Sequence, residues 1–325
     1  MTTTNTLGRG RSDLAAARPC AVSKPSARRA DTSKEAPRPR RRNEGLAVSR
    51  RIALGLGFVS SLGPSFLAGT SDGAITAAPS PSDGKLRSQT AEERAAIKAA
   101  LDQVSKGKSP VLLRLVFHDA GTYDKTTGQG GSNGSIRFEL DRPESRGLKR
   151  GLNVVKEVRE KILSQSKIDL SFADLIVICG AWAVRTCGGP DIDVQVGRTD
   201  RAVADRENMI PDENLPVEGI KANFERMGLD TLDLVALSGS HAIGGKGFGD
   251  PLTFDNVYYK TLLEKPWLSE DAMKQMIGIP SDRVLADDPE CKPIIQDFTR
   301  DQNKFFESFA ASYIRLTSFG YALSV

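Results

Sequence analysis

From about residue 90 onward, apolar positions recur every three or four residues. Thr90-Ala91-Glu92-Glu93 opens a run through Ala96, Ile97, Ala100, Leu101 and Val104, the signature of a capped amphipathic helix. Ser109 followed by Pro110 predicts an N-cap and a first-turn proline for a second helix, residues 111 to about 120. Residues 126–134 are rich in glycine and predict a loop. The amphipathic pattern returns from 148 to about 166, and residues 171–185 are so apolar that their helix belongs in the interior. Asp230 caps a further helix, 231 to about 241, and the stretch from 290 to about 319 predicts one or two more. No alternation of period two runs beyond a few residues, and no segment repeats. The pattern describes one mainly α-helical domain spanning residues 81–325.

Composition adds limits. The chain has 325 residues, 39% hydrophobic and 26% charged, which excludes a collagen-like, coiled-coil or wholly disordered protein. No apolar run reaches the roughly 18 residues of a permanent transmembrane helix. The four cysteines, Cys20, Cys179, Cys187 and Cys291, form no C-x-x-C pair, so neither a disulfide scaffold nor a structural zinc site is expected. The net charge of +4 is unevenly spread: residues 1–78 carry 13 basic and 5 acidic side chains, the remainder 32 and 36. No aromatic side chain interleaves the basic residues of that tail, which argues against a nucleic-acid arm. A Ser-, Ala- and Arg-rich, acid-poor start reads as an organelle transit peptide. Arg50-Arg51, a mostly apolar stretch from Ile52 to Ala68 and the small residues at 74–78 then follow the layout of a twin-arginine export signal. Residues 1–80 are therefore expected to be a plastid targeting segment outside the fold, delivering the protein to the chloroplast stroma or the thylakoid lumen.

Histidine is the scarce reagent, with only His118 and His241 in the chain. In Leu113-Arg114-Leu115-Val116-Phe117-His118-Asp119, Arg114 and His118 stand four apart, on one face of the second helix, with Phe117 beside them. That pattern serves either a catalytic face or a solvated arginine near a core histidine. In Ala236-Leu237-Ser238-Gly239-Ser240-His241-Ala242-Ile243-Gly244, small residues flank a histidine at a helix end, leaving room for a large flat object to approach the backbone. Taken alone, His241 is as well explained by a satisfied core imidazole as by a metal ligand.

Taken together the two stretches are more specific. L-R-L-V-F-H-D-A-G-T-Y resembles the distal helix of the plant haem peroxidase superfamily, and V-A-L-S-G-S-H-A-I-G resembles its proximal helix. Supporting segments are Gly130-Gly131-Ser132-Asn133-Gly134-Ser135-Ile136-Arg137, Cys187-Gly188-Gly189-Pro190, Gly197-Arg198-Thr199-Asp200, Phe254-Asp255-Asn256 and Pro280-Ser281-Asp282. The match covers residues 83–320. It is better to the intracellular ascorbate and cytochrome c peroxidases than to the secreted plant enzymes, whose four disulfides this chain cannot make. The segment from Gly245 to Trp267 is similar to the ascorbate peroxidase-related branch.

The resemblance implies a helical bundle holding one haem b between its distal and proximal helices, and a peroxidase that detoxifies hydrogen peroxide under oxidative stress. His241 would be the axial ligand of iron, with Asp282 as the carboxylate that bonds its other nitrogen. His118 would be the distal base and Arg114 the cation that stabilises the breaking O–O bond. Some positions depart from the family pattern. Phe117 stands where ascorbate peroxidases have tryptophan, and Phe248 lies near the place of their missing proximal tryptophan. Ser145 aligns with the distal asparagine, and Glu139 with the carboxylate behind it. No arginine in residues 242–250 matches the one that binds ascorbate, which points to a phenolic or only loosely ascorbate-like reductant. No metal beyond iron is implied. The competing reading is a peroxidase-fold protein without activity, serving in binding or assembly in the plastid.

Overall fold

The computed structural model describes residues 85–268 and 275–323; the expectations for residues 1–80 lie outside them. Ten helices order the described residues: α1 (Ala91–Leu101), α2 (Ser109–Ala120), α3 (Lys149–Ser166), α4 (Phe172–Thr186), α5 (Val217–Met227), α6 (Thr231–Ser238), α7 (Val257–Leu263), α8 (Pro280–Leu285), α9 (Cys291–Arg300) and α10 (Gln302–Ser318). Among the described residues the only sheet is a parallel pair, β1 (Lys85–Leu86) with β2 (Ala322–Leu323). The mainly helical expectation holds.

Local chemistry explains most helix starts. Thr90 and Glu93 close a capping box on α1, and Asp230 and Asp233 do the same on α6. Ser109 differs from the expectation. A 3₁₀ turn, Lys106–Lys108, runs straight into α2, so Ser109 is already helical and caps nothing. The C-terminal stretch splits because Asp301 leaves helical geometry (φ −132°, ψ 101°) and caps α10 through Asn303 N and Lys304 N.

The core centres on α4, whose residues 173–184 are all buried, packed against α2. Gly180 makes that contact close: a side chain there would run into Val116 of α2 and the Tyr313 hydroxyl of α10. A second cluster of Phe254, Tyr259, Phe298, Phe305 and Phe309 packs around α6, α7, α9 and α10, Phe254 stacked on Phe305 and edge to face with Phe309, and Tyr259 edge to face with Phe298 and Phe305. The G-R-T-D segment is structural. Asp174 of α4 and Arg198 form a buried ion pair at 2.9 Å, and Asp200 accepts from Phe172 N and Ala173 N at the start of α4. Removing one partner of such a pair strands the other charge and costs about 3–5 kcal/mol.

Candidate active site

α6 carries the His241 segment into the interior. Its first-turn Asp233 is buried and accepts from Ser312 and Arg315 of α10. The helix stops at Ser238, earlier than the apolar pattern suggests, and a 3₁₀ turn, Gly239–Ala242, presents His241. Gly239 lies so near Tyr259 and Phe305 that any Cβ there would fall 2.5 Å from the Tyr259 hydroxyl. A side chain therefore does not fit at this turn, and glycine does.

His241 Nδ1 lies 2.6 Å from Asp282 Oδ1. Asp282 is buried in the first turn of α8, and its Oδ2 accepts from Ile279 N at 2.9 Å. Although burial opposes ionisation, the His241 charge and these hydrogen bonds hold the Asp282 carboxyl below its usual range. An ionised carboxylate only accepts, so Nδ1 carries the proton; with the ring neutral, as a metal ligand must be, Nε2 offers the lone pair. The His241 side chain is one-third exposed although its neighbour Ala242 is buried, so the ring meets open space.

On α2, His118 is buried and Phe117 stands edge-on to it, ring centroids 6.4 Å apart. Phe117 also stacks on Phe224 of α5 at 6.2 Å. Burial, then the Arg114 charge, lower the His118 imidazole to about 3, so it is a neutral base at physiological pH. Its Nδ1 has no hydrogen-bond partner among the described residues. Arg114 is exposed and donates to the carbonyls of Glu144 (2.6 Å) and Arg146 (2.8 Å). Those carbonyls flank Ser145, which is buried in the 3₁₀ turn Pro143–Ser145, so Arg114 clamps that turn to α2. Glu139 is buried too. One of its oxygens accepts from Asp205 N and the other from Arg142, each at 2.8 Å. Asp119, next to His118, is structural: it accepts from Gly134 N (3.0 Å) and Ile136 N (3.2 Å) and ties the glycine-rich loop to α2.

Three links join the two histidine-bearing segments. Past His241, Gly244 lies so near Pro110 at the start of α2 that a Cβ on it would be in van der Waals contact with that ring. Helix α5, which holds Phe224 against Phe117, also packs on α6 and α8. The Glu213 carbonyl accepts from Ser281 N beside Asp282, while the Glu213 charge acts on Arg114. Phe248 is buried edge-on to Tyr258 at 4.6 Å. Sequence reasoning missed Tyr258, whose hydroxyl donates to Asp282 Oδ1 at 2.9 Å, because no spacing rule connects positions 24 residues apart on different helices. Glu213 and Phe224 were missed for the same reason.

These groups fit a haem. His241 offers an imidazole nitrogen free to bind iron, with its tautomer set by a carboxylate. Buried His118, whose Nδ1 has no partner among the described residues, provides a base, and Arg114 a cation on the same helical face.

The family model described as "Peroxidase" matches residues 93–301. "Putative L-ascorbate peroxidase 6" of Arabidopsis thaliana is 50% identical over 217 residues, 67% of this chain and 65% of the relative, so the matched region spans just under two thirds of that protein. "Probable L-ascorbate peroxidase 4, peroxisomal" of Oryza sativa subsp. japonica is 37% identical over 67% of this chain and 75% of its own. "Cytochrome c peroxidase, mitochondrial" of Aspergillus fumigatus is 33% identical over 65% and 63%.

Proposed function

The chain belongs to the peroxidase family, and from that premise we propose that it reduces hydrogen peroxide with a small organic donor, using one haem b held by His241, and that residues 1–80 address it to the plastid. The observation that carries the enzymatic reading is the 2.6 Å pairing of His241 with buried Asp282, which leaves Nε2 as a metal ligand. When bound, haem supplies the electron transfer from donor to peroxide. Neutral His118 takes a proton from the near oxygen of hydrogen peroxide and returns it to the far one, which leaves as water. Arg114 stabilises negative charge on that leaving oxygen. Asp282 holds the Nδ1 proton of His241 and with it the ring's orientation. Two electrons and two protons convert each peroxide to two waters. Arg114, His118, His241 and Asp282 are all present, which favours this reading over an inactive binding protein. The test is an absorption spectrum after haem reconstitution, followed by peroxide consumption. A Soret band and turnover are expected, and no haem uptake would overturn the reading.

The reductant is a neutral aromatic rather than ascorbate. Residues 244–250 hold one cation, Lys246, and end in Asp250, which hydrogen bonds from Thr253 and Leu252 keep ionised. Exposed Glu213 adds a negative charge beside Arg114. An anionic donor finds little attraction here, whereas a phenol reaches an exposed cofactor edge by stacking. A higher kcat/KM is expected for guaiacol or pyrogallol than for ascorbate. A side chain at Gly245 meets open space, so Gly245→Arg is expected to raise the ascorbate value selectively. A clear ascorbate preference in steady-state assays of the wild type would refute this.

The plastid address rests on the basic, acid-poor tail. Fused to a fluorescent reporter in plant cells, residues 1–80 are expected to direct it into chloroplasts. A reporter left in the cytosol would reject the address, and protease protection of the imported product would separate stroma from lumen.

A further inference from the structure

Asp282 Oδ1 accepts two donors at once, His241 Nδ1 at 2.6 Å and the Tyr258 hydroxyl at 2.9 Å. Ile279 N takes the other oxygen. Tyr258 is fully buried, gripped edge to face by Phe248 at 4.6 Å and Tyr259 at 4.9 Å, with its ring centroid 6.3 Å from that of His241. Ser238 is the other hydroxyl beside it, but it spends its own proton on the Leu234 carbonyl, and a carboxylate is the stronger acceptor. A buried phenol thus competes with the imidazole N–H for one oxygen.

We infer that Tyr258 is a positioning residue that tempers the pull of Asp282 on His241 and thereby sets how electron-rich the iron-binding imidazole is. The inference rests on the haem reading above. A donor on a carboxylate oxygen withdraws charge from it. The weakened oxygen holds the Nδ1 proton less strongly, the ring gains less imidazolate character, and a metal on Nε2 is less biased toward its oxidised state. With the phenol removed, Asp282 keeps His241 and Ile279 as partners, so no buried charge is stranded, but all of Oδ1 falls to the imidazole. The neighbouring Tyr259 is the control. It is equally buried, yet its hydroxyl pairs with backbone groups, the carbonyls of Val235 (2.9 Å) and Ala236 (3.3 Å) and the Gly239 N–H.

The test compares haem-loaded, full-length wild type, Tyr258→Phe and Tyr259→Phe by spectroelectrochemistry and by resonance Raman of the ferrous iron–imidazole stretch. Tyr258→Phe is expected to lower the midpoint potential and raise the stretching frequency, and Tyr259→Phe to change neither. Equal shifts in both variants, or none in Tyr258→Phe, would overturn the inference. A second readout needs no iron. With two histidines in the chain, the His241 Nδ1 proton can be assigned by NMR with His118→Gln. In the haem-free protein it is expected to move downfield in Tyr258→Phe. A proton that does not move overturns the role of Tyr258. A proton that moves in a protein that takes up no haem supports the shared carboxylate and overturns the haem reading alone.

Discussion

His241→Ala is expected to abolish stable haem binding. The chain has one other histidine, and His118 sits on α2, a separate element with its own buried surroundings. No second imidazole is available to replace the ligand. The loss is expected to be local, because Asp282 retains the Tyr258 hydroxyl and Ile279 N as donors and is not left as a bare buried charge. Removing an outer-shell partner alone costs about 10–100-fold in metal affinity, so removing the ligand itself is expected to cost at least that. The measurement is a Soret titration of haem into wild type and variant. Added imidazole, bound in the space the ring leaves, is expected to restore part of the spectrum. Identical spectra for the two proteins would refute the assignment.

His118→Leu is expected to keep the haem and slow the reaction with peroxide by about 10²–10⁴-fold, the usual contribution of a general acid–base group. Stopped-flow mixing with peroxide measures it, and wild-type rates in the variant would disprove the role. Arg114→Leu is expected to slow the reaction less, since it removes a charge and leaves the base. Among the described residues no hydrogen bond orients the His118 ring through Nδ1. Ser145→Ala is therefore expected to change the rate by only about threefold or less, a fraction of a kcal/mol, while Ser145→Asn, with a longer side chain, is expected to raise it. The pH dependence follows from burial. With His118 lowered to about 3, the base form persists as pH falls and the rate is flat from pH 5 to 8; an acid limb near 6.5 would indicate a solvated imidazole. Stability carries the opposite sign from a salt-bridged histidine. The unfolded chain binds this proton first, so His118 withdraws stability as pH falls from about 6.5 toward 3, and costs nothing above that window.

Much of this was visible in the residues themselves because it is local. The capping boxes at Thr90 and Asp230 start their helices through bonds spanning three residues. Arg114 and His118 share one face of α2, with Phe117 beside them, because 3.6 residues make a turn. The apolar character of α4 foretold its place in the interior. Helix α5 spaces its buried Ile220, Phe224 and Met227 four and three residues apart, so its helical pattern was legible in the residues and was not used. α7 and α8 are too short, at seven and six residues, for periodicity to register.

The sequence alone therefore determined the helical class, the scarcity of imidazole, and the pairing of a cation with a base on one helix face. Only the tertiary structure decided where α6 stops and how closely Tyr259 and Phe305 approach Gly239. It also decided that Arg114 grips the turn around Ser145, and that Glu139 spends both oxygens on Asp205 and Arg142. It brought Tyr258 to the carboxylate that holds His241, joining positions 24 and 41 residues from Asp282. Spacing along a chain sets which side chains share a face of one helix. Which faces meet depends on the shapes that fill the core between them, and that information is spread over many residues at once.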